Sequence, residues 1–395
     1  MLTNETFIQE HREDDVRKLA LMTPPEGVDL KWCLQQIEGW QLARRKLPHW
    51  AKTEGLWYAP RLSMEQCSSE ATALYKSGVI ERLIPQEGRT WMADLTGGLG
   101  VDFSFLAPLF QHCTYVEIQP HLIELAQHNL PLLGLPHAQI ASPENWKGPN
   151  RDHSLIFIDP ARRDEKGRKI VAIEDCMPNV IGLQDGLLDY GGWLMVKLSP
   201  MLDIHQALRQ LHGVSEVHVI SVQGECKELL FVMRANATGP LIHCVNLNTE
   251  DVPFVCPLDS HGSLSLTEKL EGTYLFEPNA SILKAGIQNV LCEHFDLKKL
   301  HPMSHLFTAD KLIPQFPGRR FRITGWSDFG KRNLRQLIGD LCQANLTTRN
   351  FPTPVAALRR QLHLSEGGSI YLFATTLNSG RHVLIRCEKV PALEA

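Results

Sequence analysis

The sequence predicts an α/β protein whose core is a doubly wound, mostly parallel sheet. Seven short apolar runs are typical of strands: residues 91–93, 115–118, 138–141, 154–158, 193–196, 217–220 and 229–233. The first five are separated by enough residues for crossover helices, which is the pattern of parallel strands. The last two are separated only by residues 221–228, whereas a parallel crossover needs about a dozen residues. We therefore expect a seven-stranded sheet that ends in an antiparallel hairpin.

Helices are predicted before this sheet, and a second α/β segment after it. Asp29 precedes a run, residues 30–37, in which apolar residues recur at helical spacing, and a second helix is predicted over residues 69–77 with Gly78 as its end. Residues 235–275 are mixed and weakly patterned, with strands as one interpretation. The segment after them is predicted to contain a loop or short strand at 347–354, a helix at 355–364, and paired strands at 370–375 and 382–386.

Length and composition are those of a globular protein of two or three domains. The 395 residues are 43% hydrophobic and 21% charged, which excludes a disordered, collagen-like or coiled-coil chain. The longest apolar runs fall far short of the ~20 residues of a membrane helix, and the first five residues resemble no signal peptide. We therefore expect no membrane span and a cytoplasmic location.

Cysteine and histidine spacing gives no metal or disulfide signature. The ten cysteines are scattered without a C-x-x-C pair, so reduced thiols are expected. Among the 17 histidines, His301 and His305 are four residues apart, but the glutamate of a zinc-protease motif is missing beside the first. The sequence therefore predicts no metal site.

Charge is distributed unevenly along the chain. The formal net charge is −4, but residues 311–395 contain 13 basic and 5 acidic residues, a net charge of +8, which leaves −12 for residues 1–310. The basic residues cluster in the arginine- and phenylalanine-containing stretch 316–322 and at Lys331, Arg332, Arg335, Arg359 and Arg360. A basic C-terminal segment on an acidic body predicts phosphate contacts to nucleic acid. A solvated surface with an excess of arginine would give the same composition.

A glycine-rich turn follows the first predicted strand. In residues 93–102, Ala-Asp-Leu-Thr-Gly-Gly-Leu-Gly-Val-Asp, the glycines let the backbone turn sharply and approach a ligand closely. A dinucleotide fingerprint aligned on Gly98 requires glycine at position 103, which is Phe103. Asp94 would repel a pyrophosphate but suits a cation, such as the amino acid end of S-adenosylmethionine. Glu117, at the end of the second strand, can accept hydrogen bonds from both ribose hydroxyls.

These features predict a site for S-adenosylmethionine. Its residues are expected to be Asp94, Thr96, Gly97, Gly98, Gly100 and Glu117. The alternative is that Asp94 caps a helix and Glu117 is a surface charge, but the spacing of both carboxylates around the glycine turn favours the cofactor.

The fourth predicted strand ends in Asp159-Pro160-Ala161-Arg162-Arg163. Ligands of open α/β sheets bind beyond the carboxyl ends of the strands, so Asp159 is expected to face the same crevice as Gly98. An aspartate there, held by a rigid proline, is expected to orient a nucleophile or the surroundings of the cofactor's sulfonium; if a nucleophilic acceptor binds, Asp159 is the residue expected to orient or deprotonate it. Arg162 and Arg163 are expected to hold a substrate phosphate, or alternatively to pair with nearby carboxylates. Lys197, at the end of the fifth strand, is a weaker candidate.

The turn from Asp94 to Gly100 resembles the first motif of class I S-adenosylmethionine-dependent methyltransferases, and Glu117 matches their second. The strand pattern is similar to that fold over about residues 86–235. Residues 66–76, 159–163 and 277–282 resemble a bacterial group of such enzymes that carries a ferredoxin-like insert and a C-terminal THUMP-like domain. THUMP domains bind RNA, so the resemblance implies an RNA substrate.

The resemblance also implies a division of the chain into four parts. These are an N-terminal helical region (1–85), a methyltransferase domain (86–238), a connecting and ferredoxin-like region (239–318) and a THUMP-like domain (319–395) that is expected to bind RNA. Base amino-methyltransferases usually have Asn/Asp-Pro-Pro-aromatic as their fourth motif. Ala161 and Arg162 replace its last two residues, which argues against methylation of an exocyclic nitrogen. The adenine contact is left open between Ser142, Glu144 and neither.

The leading hypothesis from the sequence is a methyltransferase that uses S-adenosylmethionine to modify structured RNA, tRNA or rRNA. The rival hypotheses are an RNA-binding protein that keeps the fold without catalysis, a methyltransferase for protein or a small molecule, and a dinucleotide-dependent oxidoreductase. Phe103 and Asp94 argue against the oxidoreductase. No cysteine adjoins Asp159 or Lys197, so a cysteine nucleophile for carbon methylation is not expected.

Overall fold

The computed structural model describes residues 3–148, 153–161, 173–190 and 192–391. Within these ranges the α-helices are α1 (Asn4–His11), α2 (Val16–Leu19), α3 (Leu30–Lys46), α4 (Pro48–Lys52), α5 (Arg61–Gln66), α6 (Glu70–Leu83), α7 (Val101–Leu106), α8 (Pro120–Leu132), α9 (Val180–Leu188), α10 (Ile204–Gln210), α11 (Ala280–Ala285), α12 (Val290–Phe295), α13 (Lys331–Ile338) and α14 (Val355–Gln361). Short 3-10 helices span Gln86–Gly88, Ala107–Leu109 and Ile173–Asp175.

The strands of the same ranges are β1 (Trp91–Asp94), β2 (His112–Val116), β3 (Gln139–Ala141), β4 (His153–Ile158), β5 (Trp193–Leu198), β6 (Val214–Val222), β7 (Glu225–Met233), β8 (Leu241–Leu247), β9 (Phe254–Pro257), β10 (Tyr274–Pro278), β11 (Lys298–Lys299), β12 (Phe307–Ala309), β13 (Gly318–Asp328), β14 (Asn345–Arg349), β15 (Ile370–Thr376) and β16 (His382–Lys389). They form two sheets, in the orders β3-β2-β1-β4-β5-β7-β6-β8-β9 and β11-β12-β10-β13-β16-β15-β14. The chain divides into two compact units, Met1–Ser215 with Leu230–Thr238, and Glu216–Leu229 with Gly239–Ala395.

The predicted α/β class and doubly wound sheet are confirmed. β1 pairs in parallel with β2 and β4, β2 with β3, and β4 with β5. β6 and β7 are neighbours joined only by Gln223 and Gly224, so they run antiparallel. The predicted count of seven strands was too low for the described residues, because β8 pairs in parallel with β6, and β9 antiparallel with β8. The histidine and asparagine side chains of β8 had obscured its pattern.

The order of the parallel strands fixes where a ligand can bind. From β1 the chain adds β2 and β3 on one side, and then β4 and β5 on the other. Loops at the carboxyl ends of β1 and β4 therefore diverge, and this reversal point opens a crevice in doubly wound sheets. The strands that flank it are nearly all apolar and buried, as expected for a sheet covered on both faces.

Helices precede the sheet in the first unit, as the sequence predicted. Asp29 caps α3 by accepting the backbone N–H of Trp32 at 3.1 Å. Ser69 caps α6 in the same way. The predicted end of this helix at Gly78 was wrong: α6 continues to Leu83, because Val79 and Ile80 pack in the core on the far side of the exposed glycine. The cost of a glycine in a helix, about 1 kcal/mol, is outweighed by that burial.

The second unit contains the seven-stranded sheet. The predicted strand pair near the C-terminus is confirmed, with β15 and β16 antiparallel, and β14 lies parallel to β15 with α14 as the crossover. Leu275, Phe321, Phe373 and Ile385 are fully buried in one apolar cluster of this sheet. The ten cysteines form no disulfide, and seven of them are buried. Within the described ranges, no helix has both the length and the apolar content required to cross a membrane.

Candidate active site at the carboxyl ends of the parallel strands

Strand register brings the predicted site residues to one edge of the sheet. Asp94 ends β1 and pairs with Phe157 of β4, so Thr96 lies beside Asp159. The backbone N–H of Asp159 donates to Oγ1 of Thr96 at 2.6 Å. Ile158 pairs with Val196 of β5, which places Asp159 beside Lys197. The expectation that Asp159 lies at the same edge as the glycine turn therefore agrees with the geometry.

The glycines of the turn are required by close contacts and by backbone conformation. A Cβ atom on Gly97 would lie 2.1 Å from the ring of Tyr115, so no larger residue fits there. The hydroxyl of Tyr115 donates to the carbonyl of Gly98 at 2.5 Å. Gly98 (φ +57°) and Gly100 (φ +79°) have left-handed conformations that favour glycine. The turn is thus held in a fixed shape from beneath, by a ring on β2.

Glu117 is held by backbone donors at the end of β2. Its Oε2 accepts the N–H of Gly98 at 2.8 Å, and its Oε1 accepts the N–H groups of Ile118 and Gln119 at 2.8 and 2.9 Å. A carboxylate has about four acceptor positions, so one position on Oε2 is left. Glu117 can therefore take one ribose hydroxyl directly, and the second only in place of the Gly98 N–H.

Asp94 is a buried carboxyl group at the base of the turn, with 1% of its surface exposed. It accepts the backbone N–H of Thr96 at 2.9 Å and the Thr96 hydroxyl at 3.2 Å. Burial raises the pKa of Asp94 to about 8; the Thr96 N–H opposes this rise, and the charges of Asp102 and Asp159 add to it. A buried carboxyl group with a raised pKa is stabilised in its ionised form by a ligand that supplies a positive charge.

Three residues behind Asp159, namely Ser68, Lys76 and Asp102, were not predicted as site residues, and Lys197 was predicted only as a weaker candidate. Lys76, fully buried on α6, pairs with Oδ1 of Asp102 at 2.9 Å. Lys197 lies 3.5 Å from Oδ2 of Asp102 and also forms an ion pair with Asp159. Ser68 donates to Asp102 at 2.6 Å and accepts from Lys197 at 3.0 Å. We call these five residues the lysine–aspartate network.

The lysine–aspartate network keeps the carboxylate of Asp102 ionised. Burial by itself would raise the pKa of Asp102, but Lys76, Lys197 and the Ser68 hydroxyl together lower the pKa to about 2. Two lysines then balance Asp102 and Asp159. Asp94 is the additional carboxyl group, and its burial, with smaller contributions from the charges of Asp102 and Asp159, makes its ionisation costly without a cationic ligand.

Two further predictions, the adenine contact and the phosphate contact, are not tested by the geometry. The hydroxyl of Ser142 donates to Glu144 at 3.0 Å, and both residues follow β3. This hydrogen bond does not decide between them as an adenine contact. Arg162 and Arg163 lie outside the described residues, so their predicted phosphate contact stays a prediction.

The donor set fits S-adenosylmethionine. The cofactor carries an ammonium, a carboxylate and a sulfonium, and therefore one net positive charge, which complements the additional carboxyl group of Asp94. The turn offers a close backbone approach at Gly98, where an added Cβ would meet only the Thr96 carbonyl, at 3.6 Å. Glu117 offers the remaining acceptor position for a ribose hydroxyl.

Most arginines of the basic C-terminal segment have internal partners. Arg319 and Arg349 both pair with the buried Glu277, Arg320 is buried against the carbonyl of Pro314, and Arg322 pairs with Glu388. The arginines of the stretch 316–322 therefore have partners within the fold, and the predicted phosphate contacts of this stretch stay a prediction. In contrast, Lys331, Arg332 and Arg335 of α13 are exposed and make no ion pair within the described part of the chain.

Possible metal ligands lie together in the second unit, where the sequence predicted none. Glu216 and His218 of β6 approach within 2.9 Å, and His243 of β8 is paired with His218 in register. The two imidazole rings stack, with centroids 4.4 Å apart and only 17° between their planes. Nearly parallel rings do not direct both Nε2 lone pairs to one ion. This arrangement therefore fits a hydrogen-bonded carboxylate–imidazole pair better than a metal centre.

Known domain families match the C-terminal third of the chain. A ferredoxin-like domain family matches residues 274–317, and a THUMP domain-like family matches residues 318–389. The chain is 25% identical over 295 residues to an uncharacterized S-adenosylmethionine-dependent methyltransferase of Mycobacterium tuberculosis, in strains CDC 1551 and H37Rv. That match covers 73% of this chain and 77% of the relative.

A solved structure extends the likeness to nearly the whole chain. A candidate methyltransferase from Porphyromonas gingivalis W83 is 32% identical, with a TM-score of 0.85 over 98% of this chain and 97% of that chain. Identity and coverage of this size show common membership of one family. The chain belongs to the S-adenosylmethionine-dependent methyltransferases that carry a ferredoxin-like and a THUMP-like domain.

Proposed function

We propose that this methyltransferase acts on structured RNA. The observation that carries the proposal is the THUMP-like domain at residues 318–389 in the same chain as the methyltransferase fold. The exposed cations of α13 in that domain support the proposal, because they form no ion pair with another described residue. We also propose the four-part division predicted from the sequence, with parts at 1–85, 86–238, 239–318 and 319–395.

We propose that the glycine turn and its two carboxylates hold the cofactor. Asp94 takes the ammonium group, Glu117 takes a ribose hydroxyl, and the backbone at Thr96, Gly97, Gly98 and Gly100 lets the cofactor approach the sheet. Bound S-adenosylmethionine supplies a methyl group on a sulfonium, ready for attack by an oriented nucleophile. Asp159 then orients the acceptor, and holding the acceptor in line provides much of the acceleration. Arg162 and Arg163 are proposed phosphate contacts.

We propose α13 as an RNA contact surface. Lys331, Arg332 and Arg335 lie within the first two turns of one helix, and each can neutralise a phosphate. Each phosphate contact releases counterions, so the affinity for RNA falls as the salt concentration rises. Leu334 and Ile338 are buried on the opposite side of α13, which fixes the helix to its sheet.

The first test measures RNA binding against salt concentration. Replacing Lys331, Arg332 and Arg335 together by glutamine removes three positive charges. The plot of log binding constant against log salt concentration has a negative slope, and the magnitude of that slope should decrease by about 2 to 3. The matched control replaces Arg17, Lys18 and Arg45 by glutamine, three exposed cations of the first unit. Equal loss of affinity in both variants would refute α13 as the contact surface.

The second test measures transfer itself. Tritium from labelled S-adenosylmethionine should enter total RNA from a strain that lacks this protein, and Asp159→Asn should abolish the transfer. Incorporation into protein or a small molecule instead would replace RNA as the substrate. Binding of RNA without incorporation into any fraction would favour the non-catalytic alternative.

A further inference from the structure

We propose that Arg319 and Arg349, held side by side by the buried Glu277, form a site for one backbone phosphate of the RNA. This inference rests on the proposed action on structured RNA and adds a phosphate site made of residues other than those of α13. Glu277 belongs to β10, Arg319 to β13, and Arg349 ends β14. The glutamate lies in the ferredoxin-like match and both arginines lie in the THUMP-like match, so the site joins the two domain families.

Glu277 holds one arginine on each of its two carboxylate oxygens. Arg319 donates to Oε2 from its Nε at 2.7 Å and also from its Nη2. Arg349 contacts Oε1 with its Nε at 2.9 Å and with its Nη2 at 2.8 Å. Because both guanidinium groups contact a single carboxylate, the protein itself places them next to each other.

Each guanidinium group keeps donors for a ligand. A guanidinium has five N–H groups, and each arginine directs two of them to Glu277, one from Nε and one from Nη2. The remaining three N–H groups of each arginine have no partner among the residues that the structure describes. The Glu277 side chain is 4% exposed, whereas the side chains of Arg319 and Arg349 are 42% and 39% exposed. A ligand can therefore reach the arginines while the carboxylate stays covered.

The charge of the three residues determines which ligand fits. Two arginines and one glutamate leave one net positive charge, and a phosphodiester carries one negative charge, so the two balance. The planar guanidinium fork also matches the spacing of phosphate oxygens, which it binds through two hydrogen bonds. An ion pair that only ties two strands together needs one arginine for each carboxylate, as Arg322 has with Glu388. The second arginine on Glu277 exceeds that requirement.

Both arginines are fixed in place by the fold. The guanidinium carbon of Arg319 lies 5.4 Å from the ring centre of Phe321, which is fully buried. Three strands, β13, β16 and β15, separate β10 from β14 in the sheet, so the sheet must coil for Arg349 to reach Glu277. Side chains that are already held lose less conformational freedom when a ligand binds, which favours binding.

The first test compares two arginines of β13 by the fluorescence anisotropy of a labelled RNA hairpin at several salt concentrations. Arg319→Gln leaves Arg349 to pair with Glu277, so the variant should stay folded, which thermal unfolding checks. Its affinity for the hairpin should be about tenfold lower. The magnitude of the slope of log binding constant against log salt concentration should decrease by about 1.

The matched control for this test is Arg322→Gln. It removes the same charge from the same strand, but Arg322 is neutralised by Glu388, so the affinity should change by less than about twofold. Equal losses in the two variants would overturn the proposal, as would an affinity of Arg319→Gln equal to that of the unaltered protein.

The second test separates the shape of the guanidinium from its charge. Arg319→Lys keeps the positive charge but lacks the planar fork, so the salt slope should stay the same while the affinity falls by about threefold or more. Full affinity in Arg319→Lys would overturn the assignment of a fork-shaped phosphate site.

The third test identifies the source of the phosphate with hairpins that carry or lack a 5′-phosphate. We expect equal affinity for both, because the net charge of the site matches a phosphodiester. Binding that requires the terminal phosphate would overturn the backbone assignment, and tighter binding of a phosphoserine peptide than of the hairpin would overturn RNA as the ligand.

Failure of this inference can be told apart from failure of the proposed function. Normal methyl transfer to RNA together with an unchanged affinity of Arg319→Gln would overturn only the phosphate site. Absence of both hairpin binding and methyl transfer to RNA in the unaltered protein would overturn both proposals.

Discussion

Replacing Asp94 by asparagine should make the cofactor-free protein more stable in alkaline solution. The pKa of Asp94 rises from 3.8 to about 8 in the folded protein, so the folded state binds this proton more tightly than the unfolded state does. The shift of about four units, at 1.36 kcal/mol per unit, sets a ceiling of about 5 to 6 kcal/mol. Because local rearrangement and water reduce the penalty of a buried charge, we expect a gain of about 2 to 5 kcal/mol above pH 8.

The direction of the pH dependence follows from the raised pKa. The contribution of Asp94 to stability is fully present below about pH 4, and it is lost as the pH rises through about 8. Asparagine keeps the acceptor oxygen for Thr96 and does not ionise. The difference in the free energy of unfolding between Asp94→Asn and the unaltered protein should therefore be small near pH 4 and grow until about pH 8.

Urea denaturation at several pH values from 5 to 9 measures this difference. Asp102→Asn is the matched control, because the pKa of Asp102 is lowered to about 2 by its lysine partners. Loss of the Asp102 carboxylate should destabilise the protein across the whole pH range. The reasoning is refuted if Asp94→Asn is less stable than the unaltered protein at pH 8.5, or if its advantage does not grow with pH.

Three further predictions concern the same site. Gly97→Ala should destabilise the protein by about 2 kcal/mol or more and weaken cofactor binding, whereas Gly186→Ala, which has open space in α9, should change stability by less than about 1 kcal/mol in thermal unfolding. Lys76→Met should cost about 3 kcal/mol in urea, since it leaves Asp102 with less compensation, while the exposed Lys52→Met should stay within about 0.5 kcal/mol; equal losses would contradict this. S-adenosylmethionine binding at pH 7 should release close to one proton, seen as a heat that varies with the ionisation enthalpy of the buffer, and no such release should occur at pH 9.5.

The position of the site could be predicted because it follows from local patterns. Apolar runs identify the parallel strands, and the rule that ligands bind at their carboxyl ends groups Asp94, Glu117, Asp159 and Lys197 without knowledge of any contact. Glycine at positions 97, 98 and 100 identifies the turn, because each position excludes other residues for a backbone or steric reason.

The other members of the lysine–aspartate network, Ser68, Lys76 and Asp102, could not be predicted in the same way, because they come from distant parts of the chain. Ser68 and Asp102 are 34 residues apart, and Lys197 and Asp102 are 95 apart. One signal was present: Lys76 lies at helical spacing from Thr72 and Ala73 on the buried face of α6. A lysine on such a face requires a buried partner, although the sequence does not say which one.

The partners of the arginines in residues 316–322 could not be predicted from the sequence either. A basic composition predicts only an exposed charged surface, whereas on a strand the side chains point alternately to the two faces and meet partners on neighbouring strands. Arg319 lies opposite Glu277 on β10, and Arg322 lies opposite Glu388 on β16. Cross-strand partners of this kind depend on register, which composition does not reveal.

Calorimetric titration of S-adenosylmethionine into the protein tests the central claim most directly, namely that the glycine turn and its two carboxylates form the cofactor site. We predict binding by the unaltered protein and by Asp159→Asn, and at least a hundredfold loss of affinity in Asp94→Asn although that variant stays folded. An affinity of Asp94→Asn equal to that of the unaltered protein would contradict the proposed site.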